Sequence, residues 1–94
     1  MDRYKHKEVK QMRNRIIYTH TERERIFDLM EVVMFNASGG FAEQAKYYAK
    51  HSILSHYEYG DNGLKTQIAY VLSNLQHWRG DLASKVKTEL KKFQ

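Results

Sequence analysis

The stretch LKTQIAYVLSNLQHW, residues 64 to 78, constrains the fold more than any other, because Leu64, Ile68, Val71, Leu72, Leu75 and Trp78 recur every three or four residues. That spacing lines one side of an α-helix, whereas the buried side chains of a half-covered strand alternate. Its only charge before Arg79 is Lys65, as expected of a helix with neighbours on several sides. A helix over 64–78 is therefore predicted, with Trp78 completing the stripe and its indole N–H needing one partner at the edge.

Three more segments carry the same period. In THTERERIFDLMEVVMF, Thr21 stands three residues before Glu24, the spacing at which each side chain satisfies the other's backbone donor. Ile26, Leu29, Met30 and Val33 follow at helical intervals, with Glu24, Asp28 and Glu31 opposite, so a helix is predicted over 22–35. NASGG breaks it. FAEQAKYYAKHSILSHYEYG predicts one long helix over 41–59, with Phe41, Ala45, Tyr48, Ser52, His56 and Tyr59 on its inner side and Gly60 ending it. Gly80 stands where the 64–78 helix should stop, and Asp81 is placed to cap LASKVKTELKKF, a final helix with Leu82, Val86, Leu90 and Phe93 on one side.

The chain has 94 residues and no proline, enough for one core and one domain, 1–94. The predicted class is all-α: a bundle of four or five helices, the last four antiparallel over 21–94, preceded by a basic arm or helix over 1–20. Cysteine is absent, which excludes disulfides and thiolate metal sites and fits a reducing compartment. The first residues are charged where a signal peptide needs an apolar run, and no stretch approaches the ~20 apolar residues that span a bilayer. A soluble cytoplasmic protein without membrane contact is expected.

The motif search argues against catalysis. NASGGF lacks the lysine and spacing of a phosphate loop, and His6, His20, His51, His56 and His77 show none of the i, i+4 pairing of a zinc helix. His56 lies on an inner face, where a hydrogen-bonded core histidine is the simpler reading. Glu24, Asp28 and Glu31, without the histidine partners of a metal site, read as a solvated face. Arg79-Gly80-Asp81 reads as a helix corner, since adhesion needs an exposed loop on a secreted protein. Asn36-Ala37-Ser38 matches a glycosylation acceptor that an intracellular chain would not use. No nucleophile, base and orienting group come together. The expectation is a non-enzyme with no cofactor and no metal.

Charge and aromatic placement suggest two binding surfaces. Residues 1–20 hold six cationic and two acidic side chains, +4 of the chain's net +5. If KHKEVKQMRNRII is helical, Val9, Met12 and Ile16 form an apolar stripe opposite the cations. Arg3, Lys7, Lys10, Arg13 and Arg15 would then contact phosphates, reinforced by Lys87 and Lys91 of the last helix. The plain alternative is solubility, with lysines lying along a core helix. Elsewhere Tyr47, His51 and Leu54 recur at i, i+4, i+7, as do Thr66, Tyr70, Ser73 and His77, on faces that are aromatic or polar and almost uncharged. Such faces suit protein interfaces. The leading expectation is a small binding module for nucleic acid or a nucleic-acid-handling protein, a size and class used by accessory proteins of mobile elements. The alternative is a protein–protein adaptor or inhibitor that binds through Tyr47, His51, Leu54, Tyr70 and His77, with a homo-oligomer left open.

Overall fold

A computed structural model describes residues 16–94, and among them every regular element is a helix: α1 (His20–Asn36), α2 (Ala42–Lys50), α3 (Ser52–Ser73) and α4 (Asp81–Lys91). The basic arm proposed for the N-terminus, with Arg3, Lys7, Lys10, Arg13 and Arg15, lies outside the described residues. No described helix is long and apolar enough to cross a membrane.

The capping box of α1 sits two residues earlier than the sequence suggested. Thr19, not Thr21, is the N-cap: the Glu22 N–H donates to Thr19 Oγ1 at 3.1 Å, and the Thr19 N–H donates to Glu22 Oε1 at 2.8 Å. Both Thr-x-x-Glu pairs satisfy the motif. The earlier one is selected by the chain before it, where the Ile17 and Tyr18 N–H groups are held by Asp61 and leave Thr19 extended (φ −71°, ψ 166°). Ile26, Leu29, Met30 and Val33 are all buried, as their spacing predicts.

The expected 41–59 helix is present with one interruption. It divides at His51 into α2 and the first part of α3, although His51 keeps a right-handed conformation (φ −85°, ψ −1°). Helical bonds bridge the joint, from the His51 N–H to Tyr47 O at 3.1 Å and from the Ser55 N–H to His51 O at 2.9 Å. Ser52, fully buried, donates its hydroxyl to Ala49 O at 2.7 Å, a local bond that competes with the regular ladder and often bends a helix. Phe41 and Tyr59, expected on the inner side, are 57% and 51% exposed. Both stand at the ends of the segment, where Phe41 takes a left-handed conformation (φ 68°) as the N-cap of α2 and Tyr59 precedes the reversal.

Gly60 supplies that reversal. Its φ of 70° with ψ of −153° belongs to a region of backbone space open essentially to glycine alone. Helical structure resumes at once, so 61–73 runs back along 42–59. Three contacts fix the register: Phe41 stacks on His77 with ring centroids 5.8 Å apart, Tyr48 meets Tyr70 at 5.0 Å, and Gly63 lies against the Ser55 carbonyl. Each step of seven residues down one limb is matched by seven up the other, an antiparallel helical hairpin with a seam of heptad period. Gly63 allows the tightest approach, since a Cβ there would overlap the Ser55 backbone and stand 2.9 Å from Tyr59 Cβ.

α3 stops at Ser73, short of the predicted 78. Leu75 and Trp78 are nonetheless buried. They reach the core through tight turns in which the Leu75 N–H donates to Leu72 O and the Trp78 N–H to Leu75 O. Gly80 (φ 110°) is the N-cap of α4, and Asp81 is its first helical residue with no side-chain capping bond. A carboxylate in that place still favours the helix dipole. The core gathers Ile26, Met30 and Val33 from α1, Ala45 and Ala49 from α2, Leu64, Ile68 and Val71 from α3, and Val86 and Leu90 from α4. The small alanines let α1 approach α2 closely.

Candidate functional site

Asp61 has the densest polar surroundings in the described structure. It is 3% exposed. One carboxylate oxygen accepts the Ile17 N–H at 2.7 Å and the Tyr18 N–H at 2.9 Å and meets Arg23 Nη1 at 3.3 Å, while the other meets His56 Nε2 at 3.0 Å. Burial pushes the carboxyl up, but the Tyr18 and Ile17 N–H bonds, with His56 and Arg23, outweigh it and hold its pKa below the ordinary aspartate value. Beside it Tyr18 is pushed up to about 12, first by burial and then by the Asp61 and Glu22 charges, and its hydroxyl donates to the Phe93 carbonyl. His56 is the hydrogen-bonded histidine its position suggested, with its ring edge-on to Phe27 at 5.7 Å. All the polar atoms of Asp61 face protein partners, and no nucleophile stands within this group. It acts as a joint tying the residues before α1 to the tip of the hairpin.

Lys87, a candidate phosphate contact, is half-buried and donates its ammonium to Leu75 O at 3.2 Å and Trp78 O at 2.8 Å. It closes the turns that follow α3, a role the sequence gives no sign of. Lys91 is exposed, as are Lys85 and Lys92. Arg25 is paired with Glu89 across α1 and α4. Among the described residues no group of three or more histidine or acidic side chains could hold a metal ion.

The five candidate protein-binding residues fare differently, for the hairpin brings their two ridges side by side. Tyr47 packs on His51 with ring centroids 4.2 Å apart and edge-on to Tyr48 at 5.6 Å, and Tyr48 spans the seam to Tyr70. Tyr47, Leu54 and Tyr70 are 58%, 53% and 47% exposed. His51 donates its Nδ1–H to the Tyr47 carbonyl at 2.9 Å. His77 sits at the far end of the same face, exposed, stacked on Phe41 and pressed against the backbone of Gly39 and Gly40. NASGG is thus a fitted turn, where Gly39 both takes a φ of 90° and leaves out a Cβ that would strike the His77 carbonyl.

The middle of this face is uncharged. Gln44, Tyr47, His51 and Leu54 on one limb and Asn62, Thr66, Tyr70 and Ser73 on the other carry no ammonium, guanidinium or carboxylate; the exposed Glu43 borders the face beside Tyr47 and Tyr48, and Glu58 stands at the tip. Towards that tip the seam opens into a groove lined by Ser55, Tyr59, Asn62, Gly63, Thr66 and Gln67. Gln67 Oε1 is buried there with no hydrogen-bond partner. Sequence periodicity found both ridges but not their adjacency, which depends on Gly60 reversing the chain, nor the groove, which depends on Gly63 lacking a side chain. Comparison with protein-family models, with curated proteins and with solved structures finds no match to this chain.

Proposed function

We propose that this chain is a non-enzymatic protein-binding module whose contact surface is the uncharged aromatic face of the α2–α3 hairpin. One observation carries the reading: Tyr47, Leu54, Tyr70 and Phe41 stand about half exposed on a single face without a charged side chain among them. An apolar patch of that kind on a charged small domain marks an interaction site, and the centres of protein interfaces are depleted in charge and rich in tyrosine. Catalysis has no comparable support, because the best-organised polar group, around Asp61, is spent on backbone N–H groups and two fixed side chains.

The test is site-specific photo-crosslinking. A photoreactive phenylalanine analogue at Tyr47 or Tyr70 should give discrete protein adducts in the cell, and the same group at Lys85 of α4 should not. Adducts at Lys85 with none at Tyr47 and Tyr70 would move the contact surface to the other side of the domain.

A second reading rests on charge. Residues 16–94 hold ten cationic against nine acidic side chains, so +4 of the net +5 belongs to 1–15, where Arg3, Lys7, Lys10, Arg13 and Arg15 lie. A short cationic segment joined to a nearly neutral domain suits phosphate contacts on nucleic acid, with the exposed Lys91 within reach of the same role. Lys87 contributes less to it than its sequence position suggests, since its ammonium already has two carbonyl partners.

A further inference from the structure

We infer that the occupant of the hairpin face is a second copy of this chain, turned end for end about a two-fold axis passing near His51 and Thr66. The inference rests on the protein-binding reading above and names its partner. The face carries a raised part and a hollow at nearly equal distances from its middle. The raised part is the Tyr47–Tyr48–Tyr70 cluster, and the hollow is the groove where Gly63 lies against the Ser55 carbonyl. Tyr48 and Ser55 are seven residues apart on one limb, as are Tyr70 and Gly63 on the other, a displacement of ~10 Å along a helix. A two-fold axis lying across the hairpin between those levels reverses the limbs. It sets each copy's Tyr70 over the other's Gly63 groove and each copy's Tyr47 beside the other's Leu54. A two-fold interface requires this property, one patch that complements itself. An axis along the hairpin would instead stack ridge on ridge.

Two further observations agree. The middle of the face, around the axis, carries no charged side chain, so two copies can meet there without like charges opposing each other. The area is also of the right order: the half-exposed Phe41, Tyr47, Leu54, Tyr59 and Tyr70 offer roughly 400–500 Å² of apolar surface, and with the polar residues between them approach the ~800 Å² per partner of a standard interface.

The absence of cysteine makes the test clean. Thr66→Cys, at an exposed position beside the axis, introduces the sole thiol of the chain. Mild oxidation of the purified full-length protein should link it into a species of twice the 11.2 kDa chain mass, while Thr88→Cys on α4 should stay single. Sedimentation equilibrium of the unmodified chain should show a reversible dimer. Tyr70→Arg and Thr66→Arg, both at exposed positions, should weaken it at least ~10-fold by opposing like charges across the axis, with the helical circular dichroism unchanged. A chain that stays monomeric up to about 0.5 mM, or a dimer that both arginine variants leave intact, overturns the inference. Monomeric protein whose Tyr47 and Tyr70 positions still crosslink other proteins in the cell would retain the binding face and reject only the second copy. Absence of adducts at both positions would reject the face itself.

Discussion

Asp61 draws together residues 17 and 18, Arg23 of α1 and His56 of the hairpin tip, and its side chain is the reason those segments meet as they do. Asp61→Asn keeps the shape but loses the charge that strengthens those bonds. It should lower stability by ~1.5–3 kcal/mol at neutral pH, read by urea unfolding. Because the folded carboxyl titrates below the ordinary value of ~4, its contribution is present above about pH 4 and is lost as pH falls through the lower folded value. The variant should lack that acid limb. Tyr18 has the opposite sign: with its folded pKa near 12, its contribution holds below the ordinary value of ~10 and fades as pH rises towards 12. Lys87 is the other residue whose role lies in distant partners. Lys87→Met, which keeps the aliphatic stem and removes the donor from Leu75 O and Trp78 O, should cost ~1–3 kcal/mol in the same assay. An unchanged midpoint would return Lys87 to the pool of free surface cations. Neither residue was legible in the sequence. Asp61 looks like a turn aspartate and Lys87 like a surface lysine, and their partners lie up to 44 and 12 residues away.

At the level of elements, apolar periodicity identified the described helices and the large core positions, since a buried helical face must repeat every three or four residues. It missed the buried alanines Ala42, Ala49 and Ala83 and placed Leu82, which is 45% exposed, on the inner side. Ends were less legible. Two Thr-x-x-Glu pairs compete for the start of α1, and only the contact from Asp61 selects Thr19. Trp78 continues the stripe of α3 in sequence but reaches the core from a turn, because Leu72 and Leu75 close short hydrogen-bonded turns rather than another helical one. The hairpin makes a prediction in which two effects oppose each other. Gly63 lies within a helix, where alanine is intrinsically better by about 1 kcal/mol, yet a Cβ there meets the Ser55 carbonyl, a backbone group that cannot rotate away. Overpacking of ~1–3 kcal/mol should win. Gly63→Ala should therefore lower the melting temperature, and a rise would mean that the limbs can part without loss.

For the molecule as a whole, the question is which surface meets a partner. The two ridges were legible as separate uncharged repeats; their union into one face was not, because it follows from a single glycine at the reversal. Should the N-terminal cations act on nucleic acid, binding to a short duplex will weaken steeply with salt. Replacing Arg3, Lys7 and Lys10 with glutamine should then flatten the slope of log affinity against log salt by ~2–3 units. An unaltered slope would clear the arm of that role. The hairpin account depends on none of this.

Its most direct test uses the tyrosines already present. Tyr47 and Tyr70 lie on the proposed face, Tyr57 is 85% exposed about a quarter turn away on α3, and Tyr18 is 4% exposed in the core. Brief radical labelling in the cell, compared with the dilute purified chain, reports which of the four become covered. The binding face predicts Tyr47 and Tyr70 protected several-fold in the cell relative to the dilute chain, with Tyr57 equally reactive in both and Tyr18 unreactive in both. Tyr47 and Tyr70 labelled in the cell as heavily as in the dilute chain would contradict it.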